Sequence, residues 1–528
     1  MKSLTNYLVS LFLFFVPVIL SKSPPNFIWI ITDDQDALLG SYQVMPNLQK
    51  YIIEQSIQFN NAIVSSPICC PSRTSALAGR FSHNLDSNRL GWCGNFSLVE
   101  NTTFVRDLQL SGYTTSFTGK YYNQEPNFCG KNVHVPLGYD DFFAMCQEVM
   151  YYNLTYNDNG KLLVTGDKPT DYLTSILGNH SMNYLKNITS NSLPMYLYVS
   201  FHAPHLPSTP APWYMNTEVP THSPRFPNYN TGNANKHWQV SVNSPMDDYY
   251  INASDILYQD RLRTLLSVDD FIGELFVYLE NNNLLDNTYI FYTSDHGYHL
   301  GSWSLWSEKS QPYETDIHIP FFIRGPGLAT NITNPAIVSN IDIGATILEL
   351  AGLVNPNNRT TDGRSLVPLL ITQQNTTNLS STISATTTTT NSNTVSSSIP
   401  WRDRMLTEFV GWSDQEYLGP CNIGGQNVPF VPCPQPANIP LPLVNSPSNV
   451  YSAIRIINTT HNILYAEFRP QFSPLLPSST NFTELYDLMQ DPYQITNLAV
   501  SGNTPPSLLA QYSTELWSLA TCRNTECP

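Results

Sequence analysis

The sequence predicts an α/β protein: a large domain with a central, mostly parallel sheet flanked by helices, followed by a smaller domain built on an antiparallel sheet. Three observations predict it. Continuous apolar runs such as Asn26–Thr32 (NFIWIIT) and residues 289–294 (YIFYTS) stop abruptly at aspartates, the pattern of strands buried on both faces. Helix-patterned segments alternate with these runs. Beyond a stretch of almost pure Thr, Ser and Asn at residues 372–398, the apolar runs become short and closely spaced.

Taken in chain order, residues 1–22 read as a cleaved signal peptide, because Lys2 precedes an apolar run at 8–20 and the small residues Ser21 and Ser23 follow it. That run is shorter than the roughly 20 apolar residues of a membrane span, so no stable membrane insertion is expected. The large domain is assigned to residues 23–371. Within it, 45–55 and 73–78 read as helices, 195–201 as a strand, 258–281 as a long amphipathic helix and 289–294 as a strand. Residues 372–399 form an insert too polar to offset its own ordering entropy. Residues 400–528 form the smaller domain, with strand-like runs at 451–457 and 462–468, then the segment 486–498 leading into a final helix. A chain of 528 residues accommodates both domains at about 100 to 200 residues each.

Charged residues make up only 12% of the chain, against roughly 25% in ordinary globular proteins. Sequons offer another source of solubility: Asn95, Asn101, Asn153, Asn179, Asn187, Asn252, Asn331, Asn358, Asn375, Asn378, Asn458 and Asn481 each open an N-x-S/T triplet. With the leader, they point to the secretory pathway, secreted or lysosomal. The net charge of −16 leaves no basic stripe to displace counterions from phosphates, which argues against a nucleic-acid partner.

The nine cysteines leave one unpaired in an oxidising compartment, and setting Cys69 aside restores an even number. Cys421 with Cys433, and Cys522 with Cys527, are close enough for local bridges; Cys70 must either pair or stay buried and free.

Residues 67–80 (PICCPSRTSALAGR) combine Pro71, suited to the first turn of a helix, with the donor fork of Arg73. A helix start of this kind attracts anions. A thiol beside it is expected to have a depressed pKa, the alternative being a disulfide or an inert buried thiol. Asp33 and Asp34 follow one buried strand and Asp295 another, so carboxylates meet at the carboxyl edge of a sheet, where α/β ligand sites form. Such a cluster calls for Ca²⁺ or Mg²⁺, although helix N-caps are the other use of these acids.

These residues resemble the sulfatase family, whose signature is C-x-P-S-R with a small residue and Gly further on. Cys69-Cys70-Pro71-Ser72-Arg73 and Leu77-Ala78-Gly79 match it throughout. The resemblance implies an alkaline-phosphatase-like large domain and hydrolysis of sulfate esters. It also implies conversion of Cys69 to formylglycine by the formylglycine-generating enzyme. One Ca²⁺ would be held by Asp33, Asp34, Cys69, Asp295 and His296. Lys120 (TGKYY) and Lys309 (SEKSQ) would neutralise sulfate oxygens beside Arg73, and His205 (FHAPH) would protonate the departing alcohol, with His202 its nearest competitor.

Two positions depart from the common pattern. His296 replaces an Asn, and a hard cation prefers the amide oxygen to an imidazole nitrogen. Tyr122 stands where many sulfatases have a His that helps eliminate sulfate. Both departures recur in the N-acetylglucosamine-6-sulfatase branch, so a 6-O-sulfated glucosamine-type glycan is the expected substrate, with an aryl sulfate as the alternative. The rival readings are a phosphatase or phosphonate hydrolase of the same superfamily, and a catalytically inactive glycan-binding relative.

Overall fold

A computed structural model describes residues 23–85, 99–122, 129–130, 133–147, 150–188, 193–232, 234–353, 360–371, 401–411, 449–470 and 479–527. The strands run in chain order as β1 (Asn26–Thr32), β2 (Ile57–Ala62), β3 (Thr114–Gly119), β4 (Asp141–Met145), β5 (Thr155–Asp158), β6 (Lys161–Val164), β7 (Met195–Ser200), β8 (Thr288–Ser294), β9 (Phe321–Arg324) and β10 (Ile332–Val338). They are followed by β11 (Arg404–Val410), β12 (Val450–Ile457), β13 (Asn462–Arg469) and β14 (Phe482–Asp487). Among the described residues these make a ten-stranded sheet ordered β10-β2-β9-β8-β1-β7-β3-β4-β5-β6 and a four-stranded antiparallel sheet ordered β11-β12-β13-β14.

The apolar run of β1 is continuous because both of its faces are covered. Phe27, Trp29 and Ile31 pack on one side, where the Trp29 ring stacks on Tyr198 at 4.3 Å. Ile28 and Ile30 face the other side, against Leu265, Val268, Ile272 and Phe276 of the helix Asp248–Asn281. Burying such a side chain contributes about 1.5–3 kcal/mol, so this strand anchors both layers. Its neighbours β7 and β8 both run parallel to it, and β3 runs parallel to β7. Antiparallel pairs flank that parallel centre: β9 against β8, β5 against β4 and β6 against β5.

Three helical segments differ in detail from expectation. The long helix begins at Asp248, ahead of the expected residue 258, because the Asp247 carboxylate caps it by accepting from the Tyr249 and Tyr250 amides, each at 3.1 Å. The helix at 73–78 starts earlier, at Cys69, with Pro71 inside its first turn, where no amide hydrogen is needed. Residues 45–55 are helical but irregular, a π turn Leu48–Ile52 followed by a 3₁₀ turn Ile53–Gln55. Tertiary bonds set that geometry: Asp269 accepts from the Asn47 and Leu48 amides at 3.0 and 2.8 Å.

The four-stranded sheet carries the helix Pro506–Ala520 and shares one continuous apolar core with the large sheet, from Phe27 to Trp517. Strand β11 had no counterpart in the sequence reading. It docks on the large domain through the Glu408 amide to Ser65 O at 2.9 Å and Thr407 Oγ1 to Val64 O at 2.7 Å. Cys522 bridges Cys527, Cys129 bridges Cys146, and Cys70 is disulfide-bonded. Cys69 is a free thiol. The expected leader, insert and Cys421–Cys433 bridge lie outside the described residues. Among those described, no helix is long and apolar enough to cross a membrane.

Candidate active site

Four adjacent parallel strands, β8, β1, β7 and β3, end at one edge of the large sheet. The candidate site residues follow them: Asp295 and His296 after β8, Asp33 and Asp34 after β1, His202 and His205 after β7, and Lys120 after β3. Gly119 is required at the end of β3, since a Cβ there would lie 1.8 Å from the Ser200 carbonyl oxygen. That close approach sets Lys120 over the β7 terminus, with its amide bonded to Ser200 O at 3.0 Å. Cys69 and Arg73 come from the first turn of the Cys69–Ala78 helix, whose free peptide N–H groups favour negative charge.

All seven residues expected to surround the metal and nucleophile from these elements are buried: Asp33, Asp34, Cys69, Arg73, Lys120, Asp295 and His296. Lys120 Nζ meets Asp33 Oδ2 at 2.6 Å and Lys309 Nζ meets Asp34 Oδ2 at 3.0 Å. Arg73 binds Asp295 Oδ2 through Nε at 2.9 Å. Asp34 adopts a left-handed backbone (φ 69°), a strained state of the kind concentrated at functional sites. Burial works against ionising Asp33, but Lys120, His205 and Arg73 outweigh it and hold the carboxyl well below its usual range. Asp34 is likewise held down, chiefly by Lys309 against its own burial. Asp295 moves the other way, raised by burial and by Asp33.

Two groups of potential ligand atoms lie within 4.8 Å of one another: Asp33, Asp34, Cys69 and His205, and Asp33, Cys69, Asp295 and His296. The orientation of His296 tests whether a cation fits. Its Nδ1 lies 2.9 Å from Gly297 O, an acceptor only, so Nδ1 carries the proton. Nε2 then faces Asp34 Oδ1 at 3.4 Å and Asp295 Oδ1 at 3.6 Å. In the neutral ring, that is a lone pair turned toward carboxylate lone pairs, an arrangement a cation between them would stabilise. The donor set fits a divalent metal.

The thiol corrects one expectation. Burial pushes the Cys69 thiol well up; Lys120 and Lys309 pull it back, with Asp33 and Asp295 against them, but burial prevails, so the free thiol stays protonated rather than becoming a reactive thiolate. The two histidines also separate. The His202 side chain is fully enclosed, 3.3 Å from Asp33, whereas that of His205 keeps 11% exposure and lies 4.0 Å from Asp34.

A family model described as sulfatase matches residues 25–353. The chain belongs to the sulfatase family. This sulfatase is a sulfuric ester hydrolase, and its two-sheet architecture is the one its sequence led us to expect. It is 35% identical over 524 residues to the N-acetylglucosamine-6-sulfatase of Capra hircus, covering 95% of this chain and 84% of that one. It is 27% identical over 548 residues to the arylsulfatase of Volvox carteri, covering 95% and 75%. A solved structure described as a complex with its substrate D-glucosamine-2-N,6-O-disulfate superposes with a TM-score of 0.65 at 22% identity, covering 94% and 97%.

Several residues that shape the sulfatase site were not singled out from sequence. Arg261 is buried in the long helix and donates to Asp34 O at 2.6 Å while covering the Tyr298 ring at 3.9 Å. The available signal was its place on the apolar stripe with Leu257, Leu265 and Val268. Ser200 Oγ accepts from Arg73 at 2.6 Å and donates to Lys120 O at 2.7 Å. Asn340 Nδ2 holds Ser72 O at 3.0 Å, and Ser72 in turn donates to Asp295 O. Tyr122, which the sequence had already marked out, is buried against the Tyr121 ring at 4.4 Å.

Proposed function

We propose that this sulfatase hydrolyses the 6-O-sulfate of a glucosamine-type glycan through a formylglycine made from Cys69, with one Ca²⁺ held by Asp33, Asp34, residue 69, Asp295 and His296. The observation that carries the reading is the convergence of three buried carboxylates and the His296 Nε2 on residue 69 at a helix start, flanked by Arg73, Lys120 and Lys309. Charge supports an anionic substrate. Arg73, Lys120 and Lys309 balance Asp33, Asp34 and Asp295, so a divalent cation leaves net positive charge for a sulfate ester to offset.

A protonated thiol or an ordinary hydroxyl is a poor choice for this reaction, because its sulfated form is hard to hydrolyse. The hydrated aldehyde at residue 69 has two hydroxyls. One loses its proton to a neighbouring carboxylate and attacks sulfur; the sulfur–oxygen bond of the ester breaks, and the departing alcohol oxygen takes a proton from His205. The second hydroxyl then gives its proton to His205, the carbonyl re-forms, the bond from residue 69 to the sulfate oxygen breaks, sulfate leaves, and water adds to the aldehyde to restore the hydrate. Bound calcium supplies electrostatic stabilisation of the sulfate oxygens and the nucleophile. Lys120 and Lys309 neutralise charge as it builds on sulfur's oxygens. Burial holds His205 well below its usual pKa, and an anionic ester beside it favours the protonated ring.

Similarity to the goat N-acetylglucosamine-6-sulfatase over nearly the whole chain supports the amino-sugar substrate, and similarity to the Volvox arylsulfatase keeps aryl sulfates as the second reading. Passage through the secretory pathway is supported by the described disulfides and by the sequons. Asn101, Asn153, Asn179, Asn187, Asn252, Asn331, Asn458 and Asn481 are all exposed. The test is kcat/KM for glucosamine-6-sulfate oligosaccharides beside 4-nitrophenyl sulfate. A site built on sugar hydroxyls favours the glycan strongly, by up to about 10⁴. Preference for the nitrophenyl ester with no sulfate released from the glycan defeats the amino-sugar assignment.

A further inference from the structure

Lys309 reaches Asp34 from a loop, unlike the strand-end residues around it. The residues on either side of it, Glu308 (φ 103°) and Ser310 (φ 79°), are both non-glycine residues in the left-handed region. A backbone of this kind persists only when its surroundings over-determine it. On the amino side the Glu308 carbonyl accepts from the His299 amide at 2.9 Å, within the same loop. On the carboxyl side the contacts come from the other sheet. Ser310 O accepts from Asn449 Nδ2 at 3.0 Å and from Tyr451 Oη at 3.2 Å. Asn449 immediately precedes β12, and Tyr451 lies within it.

Both donors are themselves fixed. Asn449 and Tyr451 are fully buried, and the Tyr451 ring packs on Phe409 of β11 at 5.9 Å and on Phe468 of β13 at 5.5 Å. The ring is therefore held by strands on both sides, and its hydroxyl is aimed at a carbonyl one residue from the lysine.

We infer that Asn449 and Tyr451 are positioning residues for Lys309, so that the four-stranded sheet completes the active site by fixing the backbone beside that lysine. The inference rests on the role proposed above for Lys309. It gives the smaller sheet a function in turnover besides burying apolar surface.

The experiment is steady-state hydrolysis of 4-nitrophenyl sulfate by the full-length matured protein and its variants. Tyr451→Phe keeps the ring and removes the hydroxyl; Asn449→Ala is the independent second variant. Each should lower kcat about tenfold or more with KM little changed, since small misplacements of a group acting on the transition state cost rate rather than binding. Melting temperature should stay near that of the parent. Tyr465→Phe, which removes a hydroxyl on the same sheet directed to Glu467 Oε1, should leave kcat unchanged. In a Lys309→Ala background, Tyr451→Phe should cost nothing further. Parent-like kcat in both Tyr451→Phe and Asn449→Ala, alongside an impaired Lys309→Ala, overturns the inference, as does a full additional loss in the double variant. An unimpaired Lys309→Ala overturns the role of the lysine itself.

Discussion

Arg73 and Asp295 form a buried ion pair, Nε to Oδ2 at 2.9 Å, that ties the first turn of the Cys69–Ala78 helix to the end of β8. The same guanidinium donates through Nη1 to Lys120 O at 2.8 Å and to Ser200 Oγ at 2.6 Å, so one side chain joins the helix to three strand ends. The planar fork makes these contacts together, which an ammonium on a flexible stem cannot reproduce.

Arg73→Ala leaves Asp295 buried without its partner and should destabilise the protein by about 3–5 kcal/mol, with activity lost. Arg73→Lys should recover part of the stability but little of the kcat. Urea unfolding and steady-state rates on the two variants check this, and near-parental kcat in Arg73→Lys would remove the geometric argument.

Cys69 should be found as an aldehyde in protein matured in a secretory host. A tryptic peptide carrying it will be lighter than the thiol form by H₂S less one oxygen. Cys69→Ala should abolish turnover while leaving the melting temperature close to the parent value. Full activity with an intact Cys69 thiol contradicts the proposed nucleophile.

Removing the divalent metal should lower both activity and thermal stability, because a ligand bound only by the folded state stabilises it by mass action, about 2.7 kcal/mol at a hundredfold excess over Kd. Calorimetry before and after exhaustive chelation measures the shift, and re-addition of Ca²⁺ should restore it. Unchanged melting and unchanged rate would mean that Asp33, Asp34 and Asp295 serve without a metal.

His83 joins the two sheets away from the active site, with Nδ1 at 2.8 Å from Glu408 Oε2 and Nε2 at 3.0 Å from Cys522 O. Burial opposes the charged ring, but Glu408 overrides it and raises the pKa from 6.5 to about 9. A raised pKa means that the folded state binds the proton more tightly. The stabilisation is therefore complete below pH 6.5, shrinks between 6.5 and 9, and is gone above that window. His83→Gln should cost on the order of 3 kcal/mol at acidic pH and almost nothing near the alkaline limit, since each pKa unit corresponds to about 1.4 kcal/mol. Melting curves across that range decide it, and a pH-independent loss would assign His83 a packing role only.

The sequence alone determined the α/β class, the strands β1, β7 and β8 and the residue types at their ends. It did so because those signals are local: an apolar run that stops at Asp33, a Gly119-Lys120 pair and a CCPSR turn are each read within a few neighbouring positions. Only the tertiary structure decided matters that depend on distance and burial between remote residues. That His202 is fully enclosed and His205 keeps a slight exposure cannot be told from FHAPH, since both histidines fit the motif equally well. The protonated state of the Cys69 thiol runs against the local expectation of a thiolate, because desolvation is set by everything packed around it. Arg261 reaches Asp34 O, and Tyr451 reaches Ser310 O, across 227 and 141 residues of chain. No spacing rule encodes such contacts; they exist once hydrophobic burial has brought the helix and the second sheet against the edge where the aspartates lie.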